Sequence, residues 1–117
     1  MRSFILTFVA LILISSCGQR WQEKPYEVYW INGTKSLGYS LGDGAFIGRI
    51  DYPKYIASNE SYLSVYACNE NVCAFYYIDK IADHKHADHD EFVYGPFSKL
   101  EFFRIKTKLG LPDVRIE

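Results

Sequence analysis

The three histidines of the chain, His84, His86 and His89, fall within one short polar segment. Aspartates and a glutamate stand among them over residues 83–91. Neutral imidazole and carboxylate groups bind zinc, nickel or copper, so the segment predicts a divalent transition-metal site in a loop that wraps the ion. The alternative is a solvated loop, because no strand or helix periodicity fixes the spacing of these side chains.

No other segment has the pattern of a catalytic site. Gly42-Asp43-Gly44 and Gly48 lie between two strand-like runs, whereas a dinucleotide fingerprint lies between a strand and a helix, so a tight hairpin turn is the better interpretation. No serine stands in a G-x-S-x-G elbow, and every histidine lies in the polar loop. We therefore expect a protein that is not an enzyme.

The N-terminal residues have the pattern of a secretory leader. A positive charge at Arg2 precedes the apolar run Phe4–Ile14, and the small residues Ser15 and Ser16 follow it. A membrane-spanning helix needs about 20 apolar residues, so this run is too short to cross a bilayer alone. Residues 1–16 are expected to be removed.

The end of this leader, Ile14-Ser15-Ser16-Cys17, resembles the lipobox of bacterial lipoproteins, in which an aliphatic residue and two small residues precede a lipid-accepting cysteine. The resemblance implies cleavage before Cys17 and acylation of its thiol, which would anchor the protein in a membrane. Because Gly18 rather than aspartate follows, it also implies the outer membrane of a Gram-negative host. The alternative is an ordinary leader in which Cys17 is incidental.

With Cys17 assigned to lipid, one pair of cysteines remains, Cys68 and Cys73. An oxidising compartment permits this pair to form a disulfide, and the C-x₄-C spacing between two strand-like runs places the bond at the end of a hairpin. The short loop predicts a contribution of about 2 kcal/mol. A zinc-binding pair is the rival interpretation, but it lacks a second ligand pair at a characteristic spacing.

The amino-acid composition predicts one folded domain and argues against one class of function, nucleic-acid binding. The 117 residues have room for one domain, and 49% hydrophobic with 17% aromatic residues predicts a folded chain. A net charge of −1 without a basic block argues against nucleic-acid binding, whose affinity depends on neutralising phosphates.

Local patterns predict an α+β fold, a small antiparallel β-meander sheet followed by one C-terminal helix. The helix is expected from the capping box at Ser98 and Glu101 to Gly110, with Phe97 and Phe102 as a hydrophobic staple and Leu111 folding back. Turn residues separate six strand-like runs. These runs are Tyr26–Ile31, Leu37–Leu41, Ala45–Ile50, Tyr55–Ala57, Tyr62–Ala67 and Cys73–Asp79.

The disulfide would fix the register of the last hairpin. If Cys68 faces Cys73, Val65 opposes Tyr76 and Leu63 opposes Ile78, and this more aliphatic set should face the core. The other face then carries four aromatic residues. We expect this face either to form a second core layer under the helix or to bind a partner protein, and its residues are Tyr62, Tyr66, Phe75 and Tyr77.

Three segments resemble a group of small, uncharacterised Gram-negative envelope proteins: Gly38–Ile50, Tyr76–Lys80 and Gly95–Pro112. The likeness implies one domain and an envelope address but no functional residue. The predicted organisation is a leader at residues 1–16, a tether at 17–25 and one β-rich domain at 26–117.

The leading hypothesis is a lipid-anchored, non-enzymatic protein that faces the periplasm and binds another protein there, as an immunity protein or an inhibitor does. It needs no cofactor. The alternatives are a metal-binding envelope lipoprotein that uses the histidine loop, and a structural envelope protein.

Overall fold

The computed structural model describes residues 21–115. Eight strands and one helix follow one another along this part of the chain. The strands are β1 (Gln22–Glu23), β2 (Tyr26–Ile31), β3 (Thr34–Ser40), β4 (Phe46–Asp51), β5 (Pro53–Ser58), β6 (Tyr62–Asn69), β7 (Val72–Asp79) and β8 (Val93–Phe97), and the helix is α1 (Lys99–Leu109). The predicted α+β class is confirmed.

The strands form two antiparallel sheets, with the orders β1-β2-β3-β4 and β5-β6-β7-β8, where a single meander was predicted. The break lies at Tyr52, whose backbone is left-handed with φ 57°. Its amide donates to the Lys35 carbonyl and its carbonyl accepts from the Cys68 amide, so one residue is bonded to both sheets. A left-handed conformation is unusual for a bulky residue, and the sequence pattern did not reveal it.

One hydrophobic core lies between the sheets. Tyr26, Val28, Leu37 and Ile50 come from the first sheet and pack against side chains of the second. The contribution of the second sheet is Leu63, Val65, Ala67 and Ile78. Burial of this apolar surface holds the two sheets together.

A second, smaller core lies between the second sheet and α1. Phe102 of the helix and Leu111, which follows it, are buried against Phe75 of β7. The capping box at Ser98 and the left-handed Gly110 set the ends of the helix, as predicted. The domain therefore has three layers: a sheet, a second sheet and a helix.

Two strands were not predicted. β1 pairs with β2 from Gln22, so paired structure begins inside the segment expected to be a tether. β8 contains Gly95 and Pro96, which are typical of turns. It is an edge strand, where the missing N–H of proline is tolerated, and a Cβ on Gly95 would lie 2.7 Å from the Tyr76 ring.

Candidate binding surfaces

The four predicted aromatic residues lie together on one face of the second sheet. The register places Tyr66 opposite Phe75 and Cys68 opposite Cys73, and Cys68 and Cys73 form the predicted disulfide. This face is opposite to the inter-sheet core, because side chains alternate along a strand.

Helix α1 covers the centre of this aromatic face. The rings of Phe75 and Phe102 stack with their centroids 4.9 Å apart, and Phe75 is buried. Tyr62, Tyr66 and Tyr77 pack around this pair and are only half-buried. Phe75 therefore belongs to the second core under the helix, as one of the two interpretations expected. The three tyrosines keep part of their surface in contact with solvent.

Three tyrosines form a row across adjacent strands, and we call Tyr62, Tyr77 and Tyr94 the tyrosine row. The centroid of Tyr77 lies 4.8 Å from that of Tyr94 and 5.7 Å from that of Tyr62. Burial, followed by the neighbouring Tyr94 and Tyr62, raises the pKa of the Tyr77 phenol. The row is thus a continuous aromatic strip, and the Tyr77 hydroxyl stays protonated at neutral pH.

Tyr94 was missed by sequence reasoning because β8 was not recognised. It is the most exposed member of the row, at 39%. The available signal was the apolar run Phe92-Val93-Tyr94 after the polar histidine segment, and the following Gly95-Pro96 obscured it.

The histidines lie in a long loop, residues 80–92, that joins β7 to β8, and all three are exposed. The His84 Nδ1 accepts a hydrogen bond from the His86 amide at 3.2 Å, and the two rings are 6.4 Å apart. His89 lies beside Asp90, with 3.7 Å between Nε2 and the carboxylate. Within residues 21–115, no three His, Cys, Asp or Glu side chains are grouped to hold a metal ion.

Asp83, at the start of this loop, is buried and bound to the first sheet. Its carboxylate accepts hydrogen bonds from the Arg49 Nε and Nη2 and from the Tyr26 hydroxyl, all at 2.9 Å. The guanidinium also donates to the His84 carbonyl at 3.1 Å and lies over the ring of Tyr39. Burial and then the hydrogen bond to Asp83 raise the pKa of Tyr26 far above its ordinary range.

This buried network was also missed, and a β-bulge explains why. Leu37 pairs with Ile50 and Gly38 pairs with Gly48, which leaves Arg49 as the extra residue of β4. A bulge re-aims side chains, so simple alternation fails at this position. The network joins the base of the loop to the first sheet, and we assign it a structural role.

A cavity of about 610 Å³ is open to solvent near the same end of the first sheet. Tyr26, Tyr39 and Phe46 form its aromatic wall, and Lys24 and Lys85 stand at its rim. Glu27 also lines it, so the charges of the cavity are mixed and select no single class of ligand.

Cys17, the predicted lipid acceptor, lies outside the described residues. Within residues 21–115, no helix combines the length and the apolar character needed to cross a membrane. No protein-family model, no curated protein and no solved structure matches this chain.

Proposed function

We propose that this chain is a lipid-anchored, non-enzymatic protein of the cell envelope, held in the outer membrane through Cys17 and binding another protein in the periplasm. The lipobox Ile14-Ser15-Ser16-Cys17 supports the anchor. The disulfide between Cys68 and Cys73 supports an oxidising compartment, because such bonds are rare in the cytosol.

The observation that carries the binding role is the tyrosine row. Tyrosine combines a large apolar ring with a hydroxyl group and loses little conformational freedom on binding, so it is enriched at the energetic centres of protein interfaces. The rings of the row are already ordered by mutual contact and by the sheet beneath them. A partner that covers them would gain apolar burial without first having to order these side chains.

The rigidity of the supporting sheet favours recognition over catalysis. The row rests on β6, β7 and β8. The disulfide joins β6 to β7, and helix α1 packs on β7. Immunity proteins and inhibitors work by presenting such a fixed surface, and these are the forms of partner binding that we favour.

Site-specific crosslinking tests this proposal. A photoreactive phenylalanine analogue at Tyr94 of the full chain, expressed in its native host, should give one discrete protein adduct after irradiation. The same analogue at Val72, which is 75% exposed at the other end of the β6–β7 hairpin, is the matched control and should not give it.

Affinity then measures the role of the row. With the crosslinked partner purified, Tyr94→Ala should weaken binding by roughly 30-fold, as expected for a residue that contributes about 2 kcal/mol. Equal adducts from the two positions, or an unchanged dissociation constant, would contradict the assignment. Mass spectrometry of the mature N-terminus tests the anchor separately and should find a diacylglycerol adduct on Cys17.

A further inference from the structure

The gap between the two sheets opens into a groove where β2 and β3 face β5. Two cavities, of about 320 and 350 Å³, lie on either side of Trp30. Both are lined by Trp30, Lys35, Pro53 and Lys54, and the first is also lined by Trp21. We call these five residues the Trp30 groove.

The groove is apolar and positively charged. Lys35 and Lys54 stand in both cavities, and no acidic residue lines either one. Among residues 21–115, neither lysine has a carboxylate within ion-pair distance. The Lys54 ammonium lies over the ring of Tyr55, 5.7 Å from its centroid. A negatively charged occupant would therefore meet two ammonium groups without displacing a carboxylate of the described residues.

The tip of the β2–β3 hairpin, next to the groove, exposes large apolar side chains. Trp30 is 60% exposed and Ile31 is 58% exposed, directly before the Asn32-Gly33 turn. Tryptophan beside lysine is the composition of protein surfaces that lie at a membrane interface. The indole ring sits at the level of the lipid headgroups, and the lysine stem lies along apolar surface while its charge reaches the phosphates.

The short segment between Cys17 and Trp21 limits how far the groove can lie from a lipid attached to Cys17. Trp21, at the wall of the groove, follows Cys17 by four residues. At up to 3.6 Å per residue, these residues span at most about 14 Å. A lipid on Cys17 would thus hold the groove within a few ångströms of the headgroup layer, which is about 5–8 Å thick on each side of the bilayer.

We infer that the Trp30 groove docks on the anionic phospholipid surface to which the protein is anchored. Trp30 and Ile31 enter the interface, and Lys35 and Lys54 contact lipid phosphates. This inference rests on the proposed lipid anchor at Cys17 and adds an orientation to it. An acidic segment of another protein would satisfy the same charges, but the short connection to the lipid favours the membrane.

The chain contains only two tryptophans, Trp21 and Trp30, and both line the groove. Tryptophan fluorescence therefore reports on this surface alone. The lipidated protein, purified in detergent from a Gram-negative host that expresses the full chain, is reconstituted into vesicles of phosphatidylethanolamine and phosphatidylglycerol. Emission should shift to shorter wavelength, and phospholipids with brominated acyl chains should quench it.

Charge-reversal variants at two sites test whether the lysines of the groove are needed for docking. The variant Lys35→Glu/Lys54→Glu should lose the quenching, whereas Lys99→Glu/Lys108→Glu, with the same change of net charge on exposed positions of α1, should retain it. Circular dichroism confirms that both variants fold. A further variant, Ile31→Ser, leaves the charges intact and should weaken the quenching by removing apolar surface.

The results of these experiments distinguish the lipid anchor, membrane docking and the binding of an acidic polypeptide. An adduct on Cys17 together with unquenched tryptophans would overturn membrane docking and leave the anchor standing. Absence of the adduct would overturn the anchor and this inference with it. Tryptophans that stay exposed on vesicles but are shielded by added polyglutamate would show that the groove binds an acidic polypeptide instead.

Discussion

The guanidinium of Arg49 lies 2.9 Å from the carboxylate of Asp83, and both side chains are at most 1% exposed. Arg49 is the bulged residue of β4, and Asp83 begins the long loop that carries the histidines. The pair therefore joins the edge of the first sheet to a loop of the second. The Tyr26 hydroxyl and the His84 amide also donate to the Asp83 carboxylate, and the carbonyls of His84 and Gly48 accept from the guanidinium.

Removing one member of this pair should be far more costly than removing both. Asp83→Ala leaves the Arg49 charge buried and unpaired, which should lower the free energy of unfolding by about 3–5 kcal/mol. The double variant Arg49→Met/Asp83→Leu should recover most of that loss, because no buried charge remains. Urea unfolding followed by circular dichroism measures both.

The exposed pair Lys106–Asp113, also close at 2.7 Å, is the control. Asp113→Ala should leave the urea midpoint unchanged, because solvent screens this interaction. A single variant at Asp83 that is as stable as the native protein would show that the Arg49–Asp83 pair does not stabilise the fold.

Two buried serines should respond in opposite directions to the same substitution. The Ser64 hydroxyl is fully buried and, within the described residues, has no hydrogen-bond partner. Ser36 is also buried, but its hydroxyl donates to the Asp51 carboxylate at 2.6 Å. Ser64→Ala removes an unsatisfied polar group and should stabilise the protein by about 1 kcal/mol.

Ser36→Ala removes a satisfied hydrogen bond to a charged group and should destabilise the protein by about 1.5–3 kcal/mol. Thermal unfolding of the two variants beside the native chain gives the comparison. A loss of stability in Ser64→Ala would reveal a partner for that hydroxyl.

The features that were predicted correctly from the sequence depend on local backbone interactions or on a covalent bond. The ends of α1 were predicted because Ser98, Glu101 and Gly110 act within one turn of the backbone. The register of β6 and β7 was predicted because the Cys68–Cys73 bond fixes which residues face each other. Each of these two features is determined by a few residues that lie close together in the sequence.

The remaining features depend on contacts between distant segments. The left-handed Tyr52 is held by Lys35 and Cys68, which lie far from it in sequence. The bulge at Arg49 is tied to the buried Asp83, 34 residues away. Because such positions break the local pattern and are stabilised from elsewhere, the two-sheet arrangement and the buried network could not be read from periodicity.

The start of the first sheet should become less stable in acid. Hydrogen bonds from Lys80 and then from Ser58 lower the pKa of Glu23 below its ordinary value of 4.5. A lowered pKa in the folded state means that this stabilisation is complete above pH 4.5 and is lost as the pH falls through the lower value. The carboxylate is 45% exposed, so screening keeps the contribution below about 1 kcal/mol.

Glu23→Gln should therefore be slightly less stable than the native chain at neutral pH and equally stable in strong acid. Urea unfolding at a series of pH values measures the difference. In the Lys80→Met background the substitution should have a smaller effect, because only the hydrogen bond from Ser58 to the carboxylate remains. A difference between native and Glu23→Gln proteins that does not vary with pH would contradict the role of the carboxylate.

The largest single contribution to the attachment of helix α1 to the second sheet should come from Phe102, the buried residue of the helix. Phe102 is 3% exposed and stacks on Phe75, so Phe102→Ala should lower the free energy of unfolding by about 3–5 kcal/mol. The next residue, Phe103, is 46% exposed, and Phe103→Ala should cost less than about 1 kcal/mol.

The same pair of variants tests whether the helix is what covers the aromatic face. Release of α1 in Phe102→Ala would expose Phe75 and Tyr66, and a dye that binds apolar surface should then fluoresce in native buffer. Phe103→Ala changes composition identically but leaves the helix attached, so it should not bind the dye. Equal dye binding by the two variants would mean that Phe75 is not shielded through Phe102, and the second core would need another explanation.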